Sequence, residues 1–174
     1  KALDFPQDDW TRFMHWTHRT YPYGPVWLAI TAVPSIIGIN KFLITFYLFK
    51  GLFLASYLAT CFYIYKITNI VSKDTAKIAT ALFAFHPLVI IESVLSPHLD
   101  ITMIALFIAA VYYFIVANQK NQIKSYILLL LSIGIKFVTL ISAPLFIPSI
   151  FKKISIQRWS FFLFLSSLLT VVIQ

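Results

Sequence analysis

His86-Pro87-Leu88-Val89-Ile90-Ile91-Glu92-Ser93-Val94-Leu95-Ser96-Pro97-His98-Leu99-Asp100 is a mostly apolar run that closes in a short polar loop. Glu92, His98 and Asp100 fall within a few residues of one another, and long hydrophobic runs with very few acids flank them on both sides. Ionisable groups are costly to hold at the end of a membrane span, so they are candidates for a functional site. The stretch reads as a span that ends in such a site.

The composition agrees. The 174 residues are 60% hydrophobic, 17% aromatic and 11% charged, with a mean hydropathy of +0.84. A soluble domain carries about 25% charged residues. So much apolar surface can hardly be buried inside a water-soluble fold of this length. A transmembrane β-barrel would alternate apolar and polar residues in segments of about ten, whereas this chain has unbroken apolar blocks. The expected class is all-α: a polytopic transmembrane helical bundle. Residues 1–174 then form one transmembrane domain, with 1–40 an external loop carrying interfacial helices and 41–174 about four to six membrane helices.

The chain begins at Lys1 without an initiator methionine and ends at Gln174, in or just after the apolar run Phe161–Ile173. It is expected to be a fragment, with a further span at each end. Cys61 is the single cysteine, so no disulfide forms within the chain. The net charge of +8 does not point to nucleic acid, because most basic residues sit in short loops between apolar runs.

Working outward, residues 1–23 are polar and aromatic. Asp8 or Asp9 can cap a helix. Trp10, Phe13, Met14 and Thr17 follow at helical spacing, with Arg12, His15 and Arg19 off that stripe. This predicts a short helix lying in the membrane interface. Tyr21-Pro22-Tyr23-Gly24-Pro25 ends it. Residues 25–39 are apolar but short for a span and interrupted by Pro34, which favours a partly buried juxtamembrane helix over a crossing one. Phe42–Tyr65 is long enough to cross and contains Lys50. Ile78–Leu95 is the next span, with Pro87 expected to kink it, and Ile101–Ala117 returns. Residues 125–151 form either one long span or two short helices meeting near Lys136.

Charge sets an orientation. The loops 66–77, 119–124 and 152–158 hold eight of the fourteen Lys and Arg residues and are expected in the cytoplasm. The third can lie there only if 125–151 turns back on itself. Asp4, Asp8, Asp9, Glu92 and Asp100 then share the opposite face, leaving only Asp74 in the cytoplasm.

Each candidate has a plain structural alternative. Asp8 and Asp9 suit a carboxylate base or a helix cap. Asp100 suits a cap before Ile101, or a group facing a cavity. Capping does not explain Glu92. Lys136 either snorkels to an interface or, if the chain turns there, offers a point charge to a phosphate; snorkelling is favoured for Lys50. His15 and His18 stand one turn apart, but no third metal ligand is fixed in sequence. No cofactor is implied and a divalent cation is not indicated.

Together these residues resemble a family. Asp9-Trp10 followed by Tyr23-Gly24-Pro25-Val26-Trp27 is similar to the first external loop of the C-type membrane glycosyltransferases. The bacterial polyprenol-phosphate-mannose-dependent mannosyltransferases are the subgroup most resembled. His86-Pro87-Leu88…Glu92, then His98-Leu99-Asp100-Ile101, resembles that subgroup's Asn-Pro-Leu…Glu…Gly-His-Asn-Asp-Ile stretch, with His86 in place of Asn. Ile135-Lys136-Phe137 followed by Pro144 resembles its intramembrane lysine segment.

The resemblance implies an inverting transfer of a sugar, mannose in that subgroup, from a lipid-linked polyprenyl-phosphate donor to a glycan or lipid acceptor. The setting would be a bacterial cell membrane, with the active site on the extracytoplasmic face. A loop carboxylate, Asp8 or Asp9 (with Asp4 or a residue before Lys1 as alternatives), takes the acceptor's proton, and Asp100 is its partner. Lys136, Arg12, Arg19 and His98 are candidates to stabilise the departing phosphate, with Tyr23 and Glu92 lining the substrate site. The other partners are membrane lipids. A transporter or flippase of lipid-linked sugars, or a non-catalytic membrane subunit, are the competing readings.

Overall fold

The computed structural model describes residues 23–39, 41–96, 98–116 and 119–146. All the regular elements among them are helical: α1 (Pro25–Ile37), α2 (Phe42–Thr68), α3 (Lys73–Ala84), α4 (Pro87–Ile90), a π-helical turn (Ile91–Leu95), α5 (Asp100–Ile115), α6 (Gln119–Ile135), a 3₁₀ segment (Phe137–Ser142) and α7 (Ala143–Phe146).

Local sequence accounts for where they start. Pro25 at the first position of α1 has its φ preset for a helix and lacks only an N–H that would be unpaired there anyway. Ser72 caps α3, its Oγ accepting the Thr75 N–H at 3.0 Å, with Asp74 in the first turn to offset the helix dipole. Pro34 was expected to interrupt residues 25–39, yet α1 runs through it to Ile37. Pro34 lies in the last turn of α1, where its missing N–H removes only the bond to the Ile30 carbonyl.

Interhelical hydroxyls fix the packing. Ser56 of α2 bonds Thr102 of α5 at 3.1 Å, and further along Tyr63 meets Tyr112 with ring centroids 5.6 Å apart, so α2 and α5 run parallel. Ser125 and Ser132 of α6 donate to the carbonyls of Ala110 and Met103 at 2.8 and 3.0 Å, so α6 runs antiparallel to α5. Ala105, Ala109 and Ala110 are buried on α5, and small residues of this kind allow close helix approach. One core cluster gathers Trp27, Phe53, Leu99, Ile101, Met103 and Ile135, and a second gathers Ala110, Leu129 and Phe146.

The alternatives for 125–151 are separated by this packing. α6 stops at Ile135, Lys136 is extended (φ −151°, ψ 128°), and the chain then doubles back. Tyr126 donates to the Phe146 carbonyl at 3.2 Å, which requires 137–146 to return alongside α6.

Among the described residues α2, with 27, is the one helix long and apolar enough by itself to cross a membrane. The pair Lys73–Ala84 and Pro87–Leu95 passes the same test only when joined across a 58° bend, which falls at the expected Pro87 break. Pro25–Ile37, Asp100–Ile115 and Phe137–Phe146 are apolar but shorter. By length, one or two of the described helices could cross a membrane; residues 147–174 of the expected membrane region lie outside the described residues. Only 17% of the apolar window of α2 is buried, and Leu43, Tyr47 and Leu58 face outward. A helix at the centre of a soluble core would be covered on most sides.

Candidate functional site

The contacts above also sort the ends of the bundle. One end holds the start of α5, the end of α6 and the π turn. The other holds the end of α2, the start of α3 and the α5–α6 connection.

The π turn begins the site. Ser96 N–H reaches back five residues to the Ile91 carbonyl at 2.7 Å. Turns of this kind recur at functional sites because they re-aim side chains out of the α-helical register. Glu92 then holds His98 twice. Its carbonyl accepts the His98 N–H at 2.9 Å, and its Oε2 lies 2.8 Å from His98 Nδ1. Nδ1 carries the proton in that bond, which leaves Nε2 on the far edge of the ring.

Asp100 opens α5 as its first residue and does not cap it; Leu99 is the cap, with no side-chain hydrogen bond. The carboxylate benefits from the helix N-terminus and accepts Lys136 Nζ at 2.9 Å through Oδ1. Both partners are about half exposed, 47% for Lys136 and 43% for Asp100. An ion pair at that exposure stabilises a fold by about 0–1 kcal/mol. The ammonium has three donors and Asp100 takes one.

Lys136 is held in place by its neighbours in the chain. Gly24, just before α1, donates its N–H to the Ile135 carbonyl at 3.0 Å. A Cβ on Gly24 would collide with the Gly134 carbonyl, and a Cβ on Gly134 would collide with Val26. Two glycines thus let the loop after Tyr23 dock directly on the break that presents Lys136. Tyr23 itself is 40% exposed at the edge of this contact.

Beside these polar groups opens a cleft of about 230 Å³. Phe83, Leu88, Val89, Ile101 and Ile104 make its apolar walls, and Glu92, Ser93, His98 and Asp100 contribute the polar lining. It is an apolar slot with ionisable groups along it.

Of the sequence-derived candidates, the fold brings together Glu92, His98, Asp100 and Lys136 and puts Tyr23 beside the Gly24 contact. Asp8, Asp9, Arg12, Arg19 and the His15/His18 pair lie outside the described residues. Among those described, no three His, Cys, Asp or Glu side chains are grouped to hold a metal. Sequence reasoning missed Ser93, buried at 4% exposure and lining the cleft, and the Gly24–Gly134 contact. A glycine two residues before an intramembrane lysine was the available signal for the second. Lys50 was read as snorkelling, yet its Nζ bonds the Val94 and Leu95 carbonyls at 3.0 and 2.8 Å.

Residues 9–152 match the model of the MptA_B family, described as alpha-(1->6)-mannopyranosyltransferase, N-terminal domain. No curated protein and no solved structure matches the chain.

Proposed function

The chain belongs to the MptA_B family of alpha-(1->6)-mannopyranosyltransferases, and from that premise we propose that it transfers mannose from a polyprenyl-phosphate donor to a hydroxyl of a glycan or lipid acceptor. The observation that carries this reading is the Lys136–Asp100 pair beside an apolar cleft, within a mannosyltransferase domain. A lipid phosphate needs an apolar slot for its tail and a cation for its head; the cleft offers the slot, and Lys136, paired with Asp100 of the cleft lining, offers the cation.

The chemistry runs as a single displacement. The acceptor oxygen forms a bond to the anomeric carbon as the bond from that carbon to the phosphate oxygen breaks. The acceptor's proton passes to a carboxylate, and the lipid phosphate leaves with the electron pair. Inversion of a β-linked donor yields the α linkage in the family's description. The developing phosphate charge is met by the Lys136 ammonium, whose remaining donors are turned to it while Asp100 fixes its position. His98 Nε2, oriented through Glu92, is the second donor. The base is a carboxylate of the first loop, Asp8 or Asp9. A rim carboxylate is ionised at neutral pH without a large shift.

The setting is a polytopic membrane bundle of C-type glycosyltransferase architecture in a bacterial cell membrane. The polar end faces away from the cytoplasm, because Lys66, Lys73, Lys77, Lys120 and Lys124 cluster at the other end. α5, with 16 residues, separates the two ends by about 24 Å, close to a bilayer core of roughly 30 Å.

Membranes carrying the protein are supplied with mannosyl-phosphoryl-polyprenol or with a nucleotide-activated mannose, and an α-mannoside acceptor. Transfer from the lipid donor alone is expected. Transfer from the nucleotide donor alone would overturn the donor assignment, and donor translocation without transfer would favour a flippase. A cysteine placed at His98 in a Cys61→Ser background should react with an impermeant external reagent. Labelling only from the cytoplasmic side would reverse the orientation.

A further inference from the structure

Lys50 sits inside the apolar helix α2, where an ammonium is costly unless it meets specific partners. Its hydrogen-bond partners are two backbone carbonyls from 44 and 45 residues away, Val94 at 3.0 Å and Leu95 at 2.8 Å, and it also lies 5.7 Å from the Phe46 ring of its own helix. Both lie at the end of the π turn. The last carbonyls of a helical segment have no partner within it; here the Lys50 bond to Val94 is part-buried and that to Leu95 exposed, and beside an apolar helix a carbonyl without a partner is unfavourable. The chain cannot repair this locally: Ser96 N–H is taken by Ile91 and His98 N–H by Glu92. A cation at this terminus also offsets the partial negative charge of the aligned carbonyls. Beyond Leu95 the chain reaches His98 and then Asp100 within five residues.

We propose that Lys50 is a positioning residue for the transfer reaction: by holding the end of the π turn, it sets where Glu92 and His98 face the cleft and where Asp100 meets Lys136. The inference rests on the mannosyl-transfer reading of that site. Lys50 need not touch the substrate. It ties the loop to α2 from one side, as Lys136 ties Asp100 to α6 from the other. Arginine can reach two adjacent carbonyls with its forked donors. Methionine fills similar space and donates nothing. Glutamine keeps one amide donor group.

The test assays Lys50→Met, Lys50→Gln and Lys50→Arg in membranes, with mannosyl-phosphoryl-polyprenol and an α-mannoside acceptor. Rates are normalised to folded protein from a thermal melt. Lys50→Met should lower kcat about tenfold or more with KM changed less than about threefold, because a misplaced site weakens the transition state more than donor binding. Lys50→Arg should return to within about threefold of wild type, with Lys50→Gln between them. In an Asp100→Asn background, Lys50→Met should cost little more, since both act through one loop.

Unchanged turnover in Lys50→Met, no rescue by arginine, or full additivity with Asp100→Asn would overturn the assignment. Should Lys50→Met fail to fold, the glutamine and arginine variants decide: equal losses in both would be equally damaging. A wild type that uses only nucleotide-activated mannose fails the donor reading instead, and the Lys50 series is then read on that donor.

Discussion

At the basic end of the bundle lysines meet near neighbours, while at the cleft end they reach across the chain. Lys77 pairs with Asp74 at 3.5 Å, one turn away, with side chains 71% and 88% exposed. Lys66 lies over the Phe62 ring of its own helix, and Lys124 over Tyr113 across a short connection, each at 5.4 Å. Lys50 also lies over the Phe46 ring of its own helix, at 5.7 Å, but it and Lys136 in addition bind groups 44 and 36 residues distant in sequence. A local partner needs only helical spacing and stabilises little. A distant partner exists only when the whole bundle is assembled, so it reports on tertiary architecture. The same side chain therefore marks orientation at one end and builds a site at the other.

The largest break in that contrast is expected at the Lys136–Asp100 pair. Lys136→Met and Asp100→Asn should each lower mannosyl transfer about 100-fold or more, the size seen when one donor to a developing anion is removed. Their melting temperatures should move little, because a half-exposed pair stabilises by about 0–1 kcal/mol. A loss of activity that simply tracks a loss of folded protein would reduce the pair to a structural bridge. Unaltered transfer in both variants would remove it from the site.

That pair also shows what could be read before any coordinates. Glu92, His98, Asp100 and Lys136 stood out because each is an ionisable group in or beside an apolar run, a cost visible residue by residue. The doubling-back at Lys136 was one of two alternatives for residues 125–151, the one that the loop charges favoured. The π turn was not legible, since its carbonyl partners come from Lys50 on another helix and no window of local sequence contains both. Pro34 misled because it falls in the last turn of α1, where it removes a single helical bond and leaves the preceding turns intact. Residues 25–39 were read as a short juxtamembrane helix and 101–117 as a returning span; α1 has 13 residues and α5 has 16. Element ends set by caps and turns shorten what hydropathy alone delimits. The candidates before Tyr23 lie outside the described residues.

A smaller effect should come from the backbone contact behind Lys136. Gly134→Ala places a methyl group against the Val26 side chain, so Val26 or the loop that carries it must shift. Overpacking of this kind costs about 1–3 kcal/mol. Transfer should fall about tenfold, with a lower melting temperature, because displacing the loop by about an ångström is enough to misplace reacting groups. Adding Val26→Ala should recover part of both losses by vacating the contact. If the double variant is no better than Gly134→Ala alone, the Val26 contact is not what constrains the loop.

Smaller again is the expected effect of Glu92→Gln. The carboxylate that holds His98 Nδ1 becomes an amide, which can still accept that proton but without the negative charge. The backbone bond from His98 N–H to the Glu92 carbonyl remains. The ring keeps its place and loses some of its orientation, so transfer should drop about three- to tenfold, less than the roughly 1.5–3 kcal/mol of a whole charge-assisted hydrogen bond because the bond is weakened and not lost. Glu92→Ala should be worse than Glu92→Gln, and His98→Ala should make the two indistinguishable. Persistence of the Gln–Ala difference without His98 would show that Glu92 acts on something other than the ring.

The smallest effect belongs to the basic end, and it is the control that gives the others meaning. Asp74→Asn removes the Lys77 pair, but that pair is almost fully solvated and salt screens it. Asp74 also sits in the first turn of α3, where its charge favours the helix dipole by about 0.3–1 kcal/mol. The Ser72 cap, which makes the specific hydrogen bonds at that terminus, is untouched. Stability should therefore change by no more than about 1 kcal/mol and transfer by less than about twofold. Chemical denaturation and the mannosyl-transfer assay check the two numbers on one preparation. A loss comparable to that of Asp100→Asn would mean that the two ends are coupled through α3 and α4, and that exposure and partner distance do not separate orienting charges from those of the site.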